Sequence, residues 1–351
     1  VKPSAEKGAM ELFFDPRQLL HAPERELHNG DWTPYVETPA RALAIVEGVA
    51  GWKAPTDHGI EPILAVHDPA YVAFLRQAHA EWRAAGRSGD AIGYTFPVVG
   101  RRPLALDRID AKLGAYSFDA ATPIAEGTWE AAYWSAQCAL SAIPAPGGNR
   151  FGFALCRPPG HHAGSDYMGG YCYLNNAAIT ARHAQSLGYG RVAILDIDYH
   201  HGNGTQDIFR ADPSVFFCSI HADPRTDYPF FWGQADECGI GPGKRATLNF
   251  PLPRGTGRAA YVLVLARALE AIAQWRPDLL VVSFGADTHG NDPISFFELG
   301  QADYTAIARR IAGLGLPVLV VMEGGYALGE LAASVAALIE GFDGGKRGQR
   351  G

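Results

Sequence analysis

The apolar run 192–195 ends in Asp196-Ile197-Asp198-Tyr199-His200-His201-Gly202-Asn203-Gly204, and no other junction constrains the chain as strongly. A short β-branched run of this kind reads as a buried strand. Two acids and two imidazoles at its end are costly, because crowded carboxylates repel and burial penalises their charge. A bound cation offsets both effects. In an extended chain Asp196 and Asp198 point to one side, and His200 follows if the extended path continues. Gly202-Asn203-Gly204 then ends the strand in a turn. Mixed imidazole and carboxylate ligands suit zinc or a similar first-row metal. For this segment alone the alternative is a strand end with an ordinary polar loop.

Three further junctions repeat the pattern. Arg157-Pro158-Pro159-Gly160-His161-His162 follows the run 151–155, Phe284-Gly285-Ala286-Asp287 follows 279–283, and Glu323-Gly324-Gly325-Tyr326 follows 318–322. Each sets titratable residues just past the C-terminal end of a buried-looking strand, where an open parallel α/β sheet holds its active site. Between the strands, apolar residues at i, i+3, i+4 predict helices over 128–143, 175–187, 258–275, 304–314 and 328–339. Alternating strand and helix implies an α/β fold with a mainly parallel sheet covered on both faces.

A chain of 351 residues, 47% hydrophobic and 19% charged, can build one large α/β domain or two smaller ones. No linker separates two cores, and no internal repeat is visible. No apolar stretch approaches the ~20 residues that span a bilayer, and residues 1–8 lack the pattern of a signal peptide. Five cysteines, an odd number spread through apolar segments, fit a reducing cytoplasm and no disulfide framework. A net charge of −7 argues against a nucleic-acid partner and is compatible with a polycationic one. Segment 83–126 is different: Arg101, Arg102, Asp107, Arg108, Asp110 and Lys112 lie among Gly, Pro and aromatics with little regular pattern. So long an irregular stretch is uncommon in a compact domain unless it is functional.

Other signals are weaker. Gly239-Ile240-Gly241-Pro242-Gly243-Lys244 suggests a phosphate loop, but Arg245 replaces the required Ser or Thr and no strand precedes it. His67, His79 and His183 read as packing or surface residues. His221 lies near the strand-end cluster with no assigned role. His289, two residues after Asp287, is a conceivable ligand for a second metal.

Taken together, the four junction motifs resemble the zinc-dependent deacetylases of the histone deacetylase family. Within it the chain is most similar to the bacterial acetylpolyamine amidohydrolases. That closer similarity rests on 156–164, Gly169-Gly170-Tyr171-Cys172, Asn203-Gly204-Thr205-Gln206-Asp207, Asp292-Pro293-Ile294-Ser295-Phe296-Phe297 and 320–326, and it extends over about residues 10–342. The resemblance implies a three-layer α-β-α sandwich around an eight-stranded, mainly parallel sheet of the arginase/deacetylase type. It implies a single domain over 10–342, with 1–9 and 343–351 as terminal extensions.

The same resemblance assigns roles. One zinc per chain is held by Asp198, His200 and Asp287, leaving positions open for water and substrate. His162 is the general base and His161 a charged donor or second acid. Asp196 orients His161, and Asn203 stands behind His162 where some relatives have Asp. Tyr326 stabilises the oxyanion, with Gly324-Gly325 letting the backbone approach the pocket. Tyr171 and Tyr228 wall the substrate tunnel beside Gly170 and Ile294. At Ile294 another polyamine-selective branch carries Glu. Potassium, with sodium as the alternative, occupies two structural sites. The nearer uses Asp196, Asp198 and Ser219 with the carbonyls of His200 and Ile220, and the second uses carbonyls around Phe209, Asp212 and Val215. The substrates implied are N-acetylated polyamines, cleaved to acetate and free amine. Glu26, in an early loop 24–29, and Asp110 recognise the distal ammonium groups, and 83–126 forms a homodimer interface that narrows the mouth. A protein acetyl-lysine deacetylase and a non-catalytic acyl-amine-binding homologue are the competing readings. Since Gly202 offers no side-chain ligand for a second metal, His289 is expected at the pocket rim, free of metal.

Overall fold

Runs such as Val318–Met322 and Leu279–Phe284 consist almost wholly of β-branched or large apolar residues and are buried on both faces. A strand of that kind is stable only inside a sheet covered on both sides. The computed structural model describes residues 9–98, 105–145 and 147–344. Arg101, Arg102 and the extensions 1–8 and 345–351 lie outside these residues.

In chain order the elements are β1 (Glu11–Phe13), β2 (Arg25–His28), β3 (Asp31–Pro34), α1 (Pro39–Gly48), β4 (Trp52–Lys53), α2 (Glu61–Leu64), α3 (Pro69–Ala84), α4 (Ile109–Ala115), α5 (Thr128–Ser141) and β5 (Phe151–Ala154). They continue with α6 (Asn176–Ser186), β6 (Val192–Asp196), α7 (Asn203–Phe209), β7 (Val215–Ala222), β8 (Thr247–Leu252), α8 (Arg258–Trp275), β9 (Leu279–Phe284), α9 (Gln301–Ala312), β10 (Val318–Met322) and α10 (Leu328–Asp343). Among the described residues eight strands form one sheet in the order β4-β1-β5-β10-β9-β6-β7-β8. Every pairing in it is parallel. The expected mainly parallel sheet is thus wholly parallel, and β2 and β3 form a separate antiparallel hairpin.

The period of two along each strand separates two cores. Leu280, Val282 and Phe284 face one side, under α1, α8, α9 and α10, whereas Leu279 and Val281 face the other, under α5 and α6. Helix ends follow local chemistry. Asp68 caps α3 ahead of Pro69, the Asn175 side chain accepts from the Ala178 amide to cap α6, and Gly344 closes α10 at φ 64°. Among the described residues no helix is long and apolar enough to cross a membrane.

Three expectations are corrected. Gly202-Asn203-Gly204 is not a plain turn: Gly202 is the N-cap of α7, and Asn203 is its first residue. The early segment 24–29 is not a loop, because Glu26 lies in β2, paired with Thr33 across an Asn29-Gly30 turn with φ of 51° and 89°. The stretch 83–126 contains α4, whose Ile109 and Leu113 pack with Ile124 and the α3 residues Phe74 and Leu75 in a third core cluster.

Candidate active site

The four strands whose ends carry the polar motifs are neighbours in the sheet, β5-β10-β9-β6. Their C-terminal ends therefore deliver the motifs to one place. β6 stops at Asp196, and Asp198, Tyr199 and His200 follow in a bend rather than along an extended path. That bend, not strand alternation, turns His200 towards Asp287. The ligand-type atoms of Asp198, His200 and Asp287 all lie within 4.8 Å of one another. His200 Nδ1 is 3.1 Å from Asp287 Oδ2 and 3.3 Å from Asp198 Oδ1. The Tyr199 amide donates to Asp287 Oδ1 at 3.0 Å, and the Gly324 amide to Asp198 Oδ2 at 2.8 Å. A Cβ on Gly324 would lie 2.5 Å from Asp287 Oδ2 and 2.7 Å from Asp198 Oδ2, so only glycine lets β10 close on the pair. Burial, with Asp198 facing it, pushes the Asp287 carboxyl above the ordinary carboxylate range. Two buried carboxylates and an imidazole, closed on one another and fixed by backbone amides, form a donor set that a divalent cation satisfies.

The two imidazoles of the β5 loop differ in what stands behind them. His161 Nδ1 is 3.0 Å from Asp196 Oδ2, whereas His162 Nδ1 is 2.7 Å from the amide oxygen of Asn203. Burial disfavours a charged His161, but Asp196 and Asp198 outweigh it and raise its pKa to about 10. His162 is held well below the ordinary range by burial and by the neighbouring His161 and His200. One ring thus favours the protonated form and the other the neutral form, with centroids 4.0 Å apart. Glu323 pins their loop, accepting from the Gly160 amide at 2.7 Å, the His161 amide at 3.1 Å and Ser283 Oγ at 2.9 Å. His161, Cys172 and Glu323 also cluster as metal-type side chains. Glu323 is already satisfied by those donors, and burial keeps the Cys172 thiol protonated, so this second group is a poor metal site.

Tyr326 follows β10, with its amide donating to Asp292 Oδ2 at 2.7 Å and the Arg41 guanidinium 4.8 Å over its ring. Burial pushes its phenol well above 10, and the hydroxyl has no protein partner among the described residues. It is a protonated donor facing the site. The rings of Tyr171 and Tyr228 stand beside these groups: Tyr171 is 5.8 Å from Tyr326, and Tyr228 is 5.2 Å from His162 and 6.0 Å from His200. Between them Gly170 adopts φ 55°, and a Cβ there would meet the His162 ring at 2.2 Å. Beyond the tyrosines lie two acids. Glu26 accepts from the Tyr171 hydroxyl at 3.1 Å, while its other oxygen is buried without a partner. Asp119 accepts from the Tyr228 hydroxyl at 2.8 Å and the Gly170 amide at 2.7 Å.

Comparison with known proteins agrees with this geometry. A family profile for the histone deacetylase domain matches residues 36–342. The chain belongs to the histone deacetylase family. It is 48% identical over 341 residues to acetylpolyamine amidohydrolase 1 of Pseudomonas aeruginosa, covering 93% of this chain and 97% of that protein. Acetylpolyamine amidohydrolase of Mycoplana ramosa is 44% identical over 341 residues, covering 95% of this chain and 100% of the relative. The crystal structure of acetylpolyamine aminohydrolase from Burkholderia pseudomallei superposes with a TM-score of 0.90 at 38% identity, covering 96% of this chain and 99% of that one. The arginase/deacetylase architecture is therefore shown by structure as well as sequence.

Some residues expected at the site of this histone deacetylase family member lie elsewhere. Asp110 is not brought to the mouth within one chain: Arg87 and Arg108 bind its two oxygens at 2.8 and 2.6 Å, and their charges offset its own. His289 is not at a rim but buried, its Nδ1 accepting from the Asn291 amide while its ring packs towards Tyr304. Ile294 is half-buried, its amide capping Asp292. Asp196 and Ser219 are register partners across β6 and β7, and the Phe209 carbonyl accepts the Asp212 amide ahead of Val215. His221 hydrogen-bonds Ser219 Oγ. The Gly239–Lys244 stretch holds a short 3-10 turn, Gly241–Gly243, with no helix start for a phosphate. Sequence reasoning missed Arg41, which donates to the Glu323 and Gly325 carbonyls, and also Asp119 and Asp292. Neither Arg41 nor Asp119 belongs to a motif whose spacing announces a role, and Asp292 stands in the quoted Asp-Pro motif without having been assigned one.

Proposed function

We propose that this enzyme removes acetyl groups from N-acetylated polyamines and similar slender aminoalkyl amides, releasing acetate and the free amine. Asp198, His200 and Asp287 would hold one zinc ion, which when bound polarises an amide carbonyl and lowers the pKa of water. His162, neutral and with Nδ1 directed at Asn203, presents Nε2 as the base that takes the proton of the attacking water. His161 stays cationic through Asp196 and donates towards the reacting centre. Tyr326 donates its hydroxyl to the carbonyl oxygen as negative charge develops there.

The observation that carries the polyamine assignment is the pair of acids beyond Tyr171 and Tyr228. Asp119 lies close enough to Glu26 to raise its pKa, so two carboxyl groups crowd one place and their repulsion favours a cation between them. A distal ammonium would complete that site. The tyrosine faces suit the apolar methylenes between the ammonium and the acetamide. The relatives named acetylpolyamine amidohydrolases support the same substrate class. A homodimer through 83–126, narrowing the mouth, completes the reading. So do monovalent cations, potassium or sodium, at the Asp196/Ser219 group and around Phe209, Asp212 and Val215. All five cysteines are unpaired, in keeping with a cytoplasmic enzyme. A kinetic panel of acetylputrescine, acetylcadaverine, the acetylspermidines and an acetyl-lysine peptide tests the assignment. The polyamines should have the highest kcat/KM, and a faster peptide would overturn it.

A further inference from the structure

Behind Asn203 the structure holds a second tier of polar groups, Tyr167, Asp207 and Trp232, that the reaction scheme does not use. Asn203 begins α7, and Asp207 lies one turn later on the same helix. The Asn203 amide has two orientations related by a flip, and only one serves a base at His162. With Oδ1 towards His162, Nδ1 carries the proton and Nε2 offers its lone pair to the reacting water. With the amide flipped, NH2 faces Nδ1, the ring proton moves to Nε2, and the base is lost. In the structure Oδ1 is 2.7 Å from His162 Nδ1, and Nδ2 has two neighbours at 3.5 Å, the His162 carbonyl and the Tyr167 hydroxyl.

A carbonyl can only accept, but a hydroxyl can do either. Tyr167 therefore decides the flip, and its own proton is committed: it donates to Asp207 Oδ2 at 2.8 Å. Only lone pairs then face Asn203, which rewards NH2 on that side. Asp207 Oδ2 also accepts from the Trp232 indole at 3.2 Å, so the carboxylate is fixed from two directions. Burial and the Asp207 charge keep the Tyr167 phenol well above 10, so the proton is always present to donate. Gly164 makes room for the ring, since a Cβ there would stand 2.2 Å from it. We propose that Asp207 is a positioning residue which, through Tyr167, sets the orientation of the Asn203 amide and thereby the Nδ1–H tautomer of His162.

This inference rests on His162 acting as the base, yet its geometry predicts a result that a purely structural role for Asp207 would not give. In Asp207→Ala the Tyr167 hydroxyl is free to turn its proton to Asn203 and reward the flipped amide. Removing the hydroxyl as well, in Asp207→Ala/Tyr167→Phe, leaves the His162 carbonyl as the sole neighbour and restores the original preference. The single variant should thus lose about 10–100-fold in kcat with little change in KM, a span usual for groups one layer behind a site. The double variant should recover most of that loss. A double variant as impaired as Asp207→Ala, or worse, overturns the proposal.

Nitrogen-15 NMR of histidine-labelled protein at one neutral pH supplies a readout independent of turnover, with the His162 signals assigned by their absence in His162→Ala. Wild type should show a protonated Nδ1 and a bare Nε2, and Asp207→Ala should show the reverse or a mixture. Unchanged tautomers in a folded Asp207→Ala refute the idea. Should that variant fail to fold, Tyr167→Phe alone must keep both the Nδ1–H tautomer and most of kcat, and loss of either refutes it. If wild type hydrolyses no acetylated amine, the functional reading fails, and the tautomer data still decide the role of Asp207.

Discussion

Replacing Glu26 by Gln keeps the shape of the mouth and removes one negative charge. Glu26 Oε1 is engaged by the Tyr171 hydroxyl at 3.1 Å and Oε2 is buried without a partner. An ammonium bound against the Glu26 carboxylate makes a charge-assisted hydrogen bond worth about 1.5–3 kcal/mol, or roughly 10- to 150-fold in kcat/KM. The loss should fall mainly on KM, because the reaction centre is untouched. Burial, with hydrogen bonding from Tyr171 opposing it and Asp119 adding to it, places the pKa of Glu26 at about 7. The carboxylate is then roughly one-eleventh ionised at pH 6 and ten-elevenths at pH 8, while an alkylammonium stays charged throughout. The assay is the ratio of kcat/KM for acetylputrescine to that for N-butylacetamide, a neutral amide of similar length. The ratio cancels the titration of the shared catalytic groups. It should rise about tenfold between pH 6 and 8 in wild type and stay flat in Glu26→Gln. The same shift has a sign for stability. A carboxyl whose folded pKa is raised destabilises the fold as pH climbs from 4.5 through about 7, so the variant should melt higher than wild type at pH 8 and with it at pH 4. A pH-independent ratio in wild type, or an unchanged preference in the variant, would refute the recognition role.

Tyr326→Phe should keep its fold and bound metal but lose about 10²–10³ in kcat, the usual cost of one oxyanion donor; near-normal turnover would remove that role. Asp198→Ala should lose both metal and activity, and elemental analysis of active wild type should give about one transition metal per chain. Two metals, with one lost in His289→Ala, would show that the buried His289 is a ligand after all. Sedimentation velocity at micromolar concentration should show a dimer, and a fully active monomer would remove the case for a shared mouth.

The strand ends were legible because their chemistry is local. Arg258–Trp275 and Val318–Met322 coincide with the predicted ranges, since an uninterrupted amphipathic or β-branched run leaves few alternatives. Helix α7 was not legible: Gly and Asn are poor helix formers, and its first turn is held by tertiary contact, with the Thr205 amide donating to the His161 carbonyl at 3.1 Å. The hairpin carrying Glu26 was legible in principle, because Asn29-Gly30 is the strongest short signal for a tight hairpin turn. Asp119 had no such signal. Its place at the mouth depends on Tyr228, 109 residues away in sequence, and no local pattern encodes that meeting.

This difference follows how the molecule divides its labour. The catalytic loop is braced from behind: Arg157, 1% exposed, donates to the carbonyls of Gln18, His21, Glu37 and Thr38, while Arg41 ties Glu37 to the β10 loop. Such a densely bonded buried network tolerates little movement, and a group displaced by an ångström at the reacting centre loses much of its effect. The mouth is built otherwise. Glu26 comes from a two-stranded hairpin, Asp119 from an irregular segment and Tyr228 from a long loop, and the contacts joining them are side chain to side chain or to one backbone amide. Changing those three segments alters what can be recognised without disturbing β5, β6, β9 or β10. On the proposed reading, chemistry is therefore written in the sheet and its four adjacent strand ends, and substrate choice in the connections that fold back over them.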